Sequence, residues 1–127
     1  MEVKIDTKEK FHVITLLQAE LSATMTEEFS DRLLPFLQSD VKNIVLNLKE
    51  LQSIDNISAE NLVKVQQKFY EAGASFVICE LHPGVEEFLD KGQLLEMMNI
   101  TPTESEAWDI IQMEEIEREL LDGEPDL

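Results

Sequence analysis

The sequence predicts a single α/β domain in which a mixed sheet of four to five strands packs against about four helices, ending in an extended C-terminal helix. Short runs rich in β-branched residues, Asn43 to Leu48 and Ser75 to Leu81, alternate with segments whose apolar residues recur at helical spacing. The chain opens with two apolar segments separated only by the polar turn Lys8-Glu9-Lys10, the pattern of a hairpin. Its 127 residues suffice for one ordinary core, since a chain of that size buries roughly two-thirds of its unfolded surface.

In order, residues 3 to 7 and 11 to 17 form the two strands of that hairpin. Ser22 and Thr24 then offer helix caps, and Thr24 with Glu27 three residues later makes a capping box ahead of Phe29, Leu33, Leu34 and Leu37. Pro35 has no amide donor, so the helix is expected to kink or tighten there. The run from Asn43 to Leu48 suits a central strand covered on both faces. After a connecting segment from Lys49 to Asp55, a helix starts near Asn56 to Ser58, lines up Leu62, Val65, Phe69 and Ala72, and stops at Gly73. A strand over Ser75 to Leu81 follows, then a short helix with Val85, Phe88 and Leu89, then Leu94 to Met98 at helical spacing, with Ile100 in a brief edge strand. The last helix begins at a second capping box, Thr103 with Glu106, and is expected to run to about Leu121. Asp122 to Asp126 reads as a frayed acidic tail. The expected division is a domain over residues 1–112 and an acidic helix extension and tail over 113–127.

Twenty-seven acidic side chains against ten basic ones leave a net charge of −17. That balance disfavours nucleic acid, because a polyanion without a basic patch releases no counterions from another polyanion, and it disfavours anionic membrane surfaces equally. The apolar runs are far shorter than the roughly 20 residues of a membrane-spanning helix. The N-terminus lacks the basic-then-apolar order of an export signal, so the expected location is the cytoplasm. The single Cys79 sits in an apolar run and reads as a buried hydrophobe. His12 and His82 have no Cys or second His at ligand spacing, so no metal and no cofactor is expected. Neither a nucleophile elbow nor a phosphate-cradling glycine loop occurs, and the adjacent carboxylates Glu86-Glu87 and Glu114-Glu115 diverge by about 100° on their helices. The expectation is a non-catalytic protein.

From Asn43 to Leu62 the text NIVLNLKELQSIDNISAENL resembles the STAS family, which contains the bacterial anti-sigma-factor antagonists. In that family an apolar strand ending in Asp-Leu or Asn-Leu precedes Asp-Ser-Ser-Gly-Leu at the start of a helix. Ala72 to Cys79, the segment His82 to Leu89 and the turn Ala19-Glu20-Leu21-Ser22 are similar to further family segments, so the resemblance covers about residues 1 to 112. It implies a protein-binding module that regulates transcription or signalling by contact with an anti-sigma factor that doubles as a serine kinase. The departures fall on the functional positions. Asp55 keeps the family's aspartate, but Asn56 stands at the phosphorylated serine, Ile57 at the second serine and Ser58 at the glycine. An asparagine amide cannot accept a phosphoryl group, and it matches the unphosphorylated state in charge.

The resemblance therefore implies a partner surface of Asp55, Asn56, Ile57, Ser58 and Glu60 with Ser22 beside them. Asp55 and Ser58 equally suit plain helix capping, and Ser58 or Ser53 is an alternative phosphoacceptor. In the last helix Trp108, Ile110 and Ile111 can pack on the domain. Met113, Ile116 and Leu120 continue an apolar stripe that either packs on its own sheet or meets a partner helix or a second copy of the chain. Rival readings implied by the same family are a nucleotide or lipid sensor and an accessory structural subunit.

Overall fold

The computed structural model describes residues 1–122, and the tail expected over 122 to 126 lies almost wholly outside them. Five strands make the main sheet: β1 (Val3–Thr7), β2 (Phe11–Leu16), β4 (Asn43–Asn47), β6 (Phe76–Cys79) and β7 (Ile100–Thr101). They lie side by side in that order, so β4 is central, as its apolar sequence predicts. The β1–β2 hairpin is antiparallel, and every other neighbouring pair is parallel. Each parallel step needs a crossover helix. The helices α1 (Ala23–Leu33), α2 (Asn56–Glu71) and α3 (Pro83–Lys91) supply them.

Strand alternation divides the apolar residues between two faces. Ile14, Leu16, Ile44, Leu46, Phe76 and Ile78 face one way and pack against Phe29 and Leu33 of α1, Leu62 and Phe69 of α2, and Val85 and Leu89 of α3. Phe11, Val13, Val45, Val77 and Cys79 face the other way and meet Ala107 and Ile111 of α4 (Glu104–Asp122), with Trp108 and Ile110 at the edge.

Several local expectations hold. Where Pro35 interrupts the first helical pattern, α1 ends at Leu33 and the chain tightens into a 3-10 turn over Leu34–Gln38. Gly73 terminates α2 with φ of 75°, a left-handed conformation that glycine adopts without steric cost. Thr103 caps α4, its hydroxyl accepting from the Glu106 N–H at 3.3 Å and donating to the Glu106 carboxylate at 3.1 Å.

Other expectations are corrected. The Thr24–Glu27 capping box does not start α1. That helix begins two residues earlier than the box implies, with Ser22 at the cap position, and its first N–H, on Ala23, donates to Asp55 Oδ2 at 2.7 Å from 32 residues away. Leu94 to Met98 forms only a 3-10 turn over Leu95–Met97, and the strand expected over 75 to 81 spans Phe76–Cys79. The segment 49–55 is no plain connection, because it contains β5 (Ser53–Ile54), which pairs in parallel with β3 (Glu20–Leu21). The division expected at 112/113 is a separate matter: it lies within α4, as a last helix expected to run to about Leu121 implies, and the turns after it are hydrogen-bonded to the domain. Asn43 Nδ2 donates to Glu115 Oε1 at 2.7 Å, Arg118 donates to Ser75 Oγ at 2.9 Å, and Tyr70 donates to Glu114 at 2.8 Å.

Candidate functional site at the start of the second helix

The two-residue ladder of β3 and β5 builds the site. Gln52 and Ser53 both donate their N–H groups to Ala19 O, at 2.7 and 3.0 Å, and Asp55 N–H donates to Leu21 O at 3.2 Å. These bonds set the Ser22 turn beside the first residue of the second-helix segment, although 33 residues separate Ser22 from Asp55 in the chain. Leu21 and Ile54 are buried and anchor the ladder to the core.

Asp55 joins the two helix starts. One carboxylate oxygen accepts from Ser58 N–H at 2.8 Å, capping α2, and the other accepts from Ala23 N–H, capping α1. A carboxylate that receives two backbone donors at helix starts is favoured in its charged form. The Ser58 N–H, the nearby Ser58 hydroxyl and the Ala23 N–H accordingly hold the Asp55 carboxyl below its ordinary value against partial desolvation. The position is thus a structural clasp, which accounts for an aspartate there without any direct contact to a partner.

With Asp55 engaged, the outward residues are those after it. Asn56, Ile57 and Glu60 are exposed, and Ile57 retains 60% of its surface. At 100° per residue they fall within about one quarter of the helix circumference. Ser58 lies on the opposite side and is fully buried, so it adds no surface for a partner to touch, contrary to the placement expected from the sequence. Its hydroxyl makes no hydrogen bond of normal geometry, although it lies close enough to the Asp55 carboxylate to favour the charged form. Ser53 is exposed on β5, and Ser22 is half-buried with its hydroxyl 3.1 Å from that of Thr24.

Sequence reasoning missed two features of the site. The C-terminus of α3 borders it, since a Cβ placed on Gly92 would stand 3.8 Å from Asn56 Oδ1. Nothing in the local sequence around Gly92 signals that proximity. Glu20, Leu21, Ser22, Ser53, Ile54 and Asp55 also enclose an open hollow of about 340 Å³ with two carboxylates on its wall.

Away from this region both histidines have structural partners. His12 is buried with Nε2 donating to Val41 O at 2.8 Å and Nδ1 2.9 Å from the Thr7 hydroxyl. His82 Nε2 donates to Lys49 O at 2.6 Å. Burial, followed by the charges of Glu80 and Glu104, pushes the Cys79 thiol up to about 12, which leaves it protonated and a poor nucleophile near neutral pH. Among the described residues no group of His, Cys, Asp and Glu side chains is arranged to hold a metal ion, and no helix is long and apolar enough to cross a membrane.

The same fold occurs in known proteins. A candidate anti-sigma factor antagonist from Thermotoga maritima superposes with a TM-score of 0.73 at 22% identity, covering 87% of this chain and 94% of that one. A STAS domain protein from Planctomyces limnophilus does so with a TM-score of 0.74 at 18% identity, covering 87% and 97%. The Bacillus cell fate determinant SpoIIAA, solved in its phosphorylated form, has a TM-score of 0.62 at 18% identity and covers 87% and 99%. These likenesses establish the fold. The family model described as STAS domain matches residues 2–107, nearly the whole length of the described structure, and the chain therefore belongs to the STAS domain family.

Proposed function

We propose that this chain is a non-catalytic, cytoplasmic binding module that regulates transcription or signalling by presenting the start of α2 to a protein partner of the anti-sigma factor and serine-kinase type. The observation that carries the proposal is the exposed group Asn56, Ile57 and Glu60, held in place by a clasp at Asp55. An apolar Ile57 between two polar neighbours offers a small anchor with a hydrogen-bonding rim, the arrangement on which interface hot spots are built. The −17 charge further favours a partner with a basic docking surface.

The solved neighbour SpoIIAA exists in a phosphorylated form. In this chain Asn56 occupies the position that the family resemblance matches to the phosphorylated serine, and an amide has no hydroxyl to phosphorylate. Buried Ser58 would have to leave the core to reach a kinase. The module proposed here therefore stays in the state that lacks a phosphate at the start of α2, and binding is controlled by supply of the partner. A carboxylate at position 56 would imitate part of the missing charge.

The test is a pull-down from native lysate with wild type and Asn56→Asp, with bound proteins identified by mass spectrometry. Recovery of a kinase-like regulator by wild type and its loss in the variant is the expected result. Absence of any such regulator from both samples overturns the proposal. Intact mass after incubation with the recovered kinase and ATP is expected to gain no phosphate.

A further inference from the structure

On the opposite face of the sheet, α4 is apolar on two sides. Ala107 and Ile111 are buried against β4 and β6. Met113, Ile116 and Leu120 point the other way, 59, 56 and 67% exposed. At 100° per residue these three fall within about 60° of arc, roughly opposite Ala107 and Ile111. The helix cannot roll to bury them, because Glu114, Glu115 and Arg118 are tied to Tyr70, Asn43 and Ser75. The stripe is thus a fixed outward feature of the fold.

The charges around the stripe decide what can cover it. Arg118 is the single basic residue of α4, and it turns inward to Asn43, Ser75 and Glu115. The exposed charged residues flanking and leading into the stripe, Glu106, Asp109, Glu117 and Glu119, are all acidic, and Gln112 beside them is neutral. A second copy would set this acidic rim against itself, with each chain already carrying −17. An anionic membrane meets the same repulsion. An apolar strip bordered by carboxylates instead complements a helix with apolar residues on one face and Lys or Arg along its margins.

We propose that the Met113, Ile116 and Leu120 face of α4 is a second docking surface, which takes a cationic amphipathic helix of a partner protein. The surface is separate from the start of α2, and its partner can be held while that site is occupied.

The test uses the full chain and two synthetic helical peptides of about five turns. Both carry leucine on one face; one has lysine and the other glutamate along the margins. Binding is read by fluorescence anisotropy, and association of the chain alone by sedimentation equilibrium. The lysine peptide is expected to bind at least tenfold more tightly than the glutamate peptide, with affinity falling as salt rises. The double variant Ile116→Ser, Leu120→Ser keeps every charge and should lose at least tenfold of that affinity. Retained affinity in this variant would mean that diffuse charge alone holds the peptide and would overturn the proposal. Failure of both peptides to bind would overturn it too, as would a dimer of the chain that the double variant abolishes. Circular dichroism of the variant should be unchanged, since both substituted side chains are already exposed.

Discussion

The two faces of the sheet are held by different means. Against α1, α2 and α3 lies a broad apolar core with Phe29, Phe69 and Phe76 at its centre, where Phe69 and Phe76 pack with ring centroids 5.1 Å apart. Against α4 lies a narrower apolar cluster, and the helix gains its remaining hold from polar side chains. Arg118 reaches Asn43, Ser75 and Glu115, while Tyr70 links Glu114 to Asn99. The difference teaches that a helix with little apolar contact area can still be fixed in orientation, because directional bonds set its rotation where packing alone would leave it loose. It also explains why one outer face of α4 can stay apolar without disturbing the fold.

The sharpest test of this comparison is the relative cost of damaging each face. Phe69→Ala should lower stability by about 3–5 kcal/mol, because it removes a fully buried ring from the broad core. Ile111→Ala, in the narrower cluster, is expected to cost about 2–3 kcal/mol, within the lower part of the range for such truncations. Urea unfolding of both variants checks the order, and a larger loss at Ile111 would break the comparison.

Arg118→Ala should cost about 1–2 kcal/mol through the lost charge-assisted bonds. Its effect should also be local: amide hydrogen exchange in the second half of α4 should accelerate before exchange in α2 does. Uniform acceleration throughout the chain would mean that the polar clasp supports the whole domain. Thr103→Ala is expected to cost about 1 kcal/mol by removing the local cap of α4, measurable as a shift in urea midpoint.

The smallest effect is the pH dependence of the clasp. The Asn43 amide hydrogen-bonded to Glu115, with help from Arg118 against the opposing effect of burial, holds this carboxyl below its ordinary 4.5. A group whose folded pKa is lowered stabilises the fold above its unfolded pKa, and that contribution disappears as pH falls through the folded pKa. The urea-midpoint gap between wild type and Glu115→Gln should therefore be greatest at neutral pH and narrow steadily below pH 4.5. A constant gap down to strongly acid pH would show that Glu115 acts by packing rather than charge. The lowered Asp55 carboxyl adds acid sensitivity of the same sign in both proteins and leaves the gap unaffected.

How much of the site was legible depends on how local each signal is. The Thr103–Glu106 box was readable because both partners lie within one helical turn. The Thr24–Glu27 pair carries the same spacing, but there a carboxylate from another segment supplies the contact, and the helix begins at Ala23. The role of Asp55 as a cap was readable in the sequence; its second bond, to Ala23, was not, because it depends on β3 meeting β5. Strands of two residues have no period to detect. Ser58 was misplaced for a related reason: its spacing from Asn56 puts it on the inner side of α2, but only the packed core establishes that this side is closed to solvent.

The sequence by itself determined the order of the five main-sheet strands and of the four α-helices, the central position of Asn43–Asn47, the tightening at Pro35, the stop at Gly73, and the presence at position 56 of an amide that carries no hydroxyl. Those properties follow from side-chain period, backbone restriction and chemical identity, all of which are carried by neighbouring residues. Only the tertiary structure decided that Asp55 clasps two helices, that Ser58 is withdrawn from the surface and that Arg118 turns inward. Each of these depends on residues brought together from distant parts of the chain, where hydrogen-bond direction and exclusion of water, rather than spacing along the sequence, select the partner.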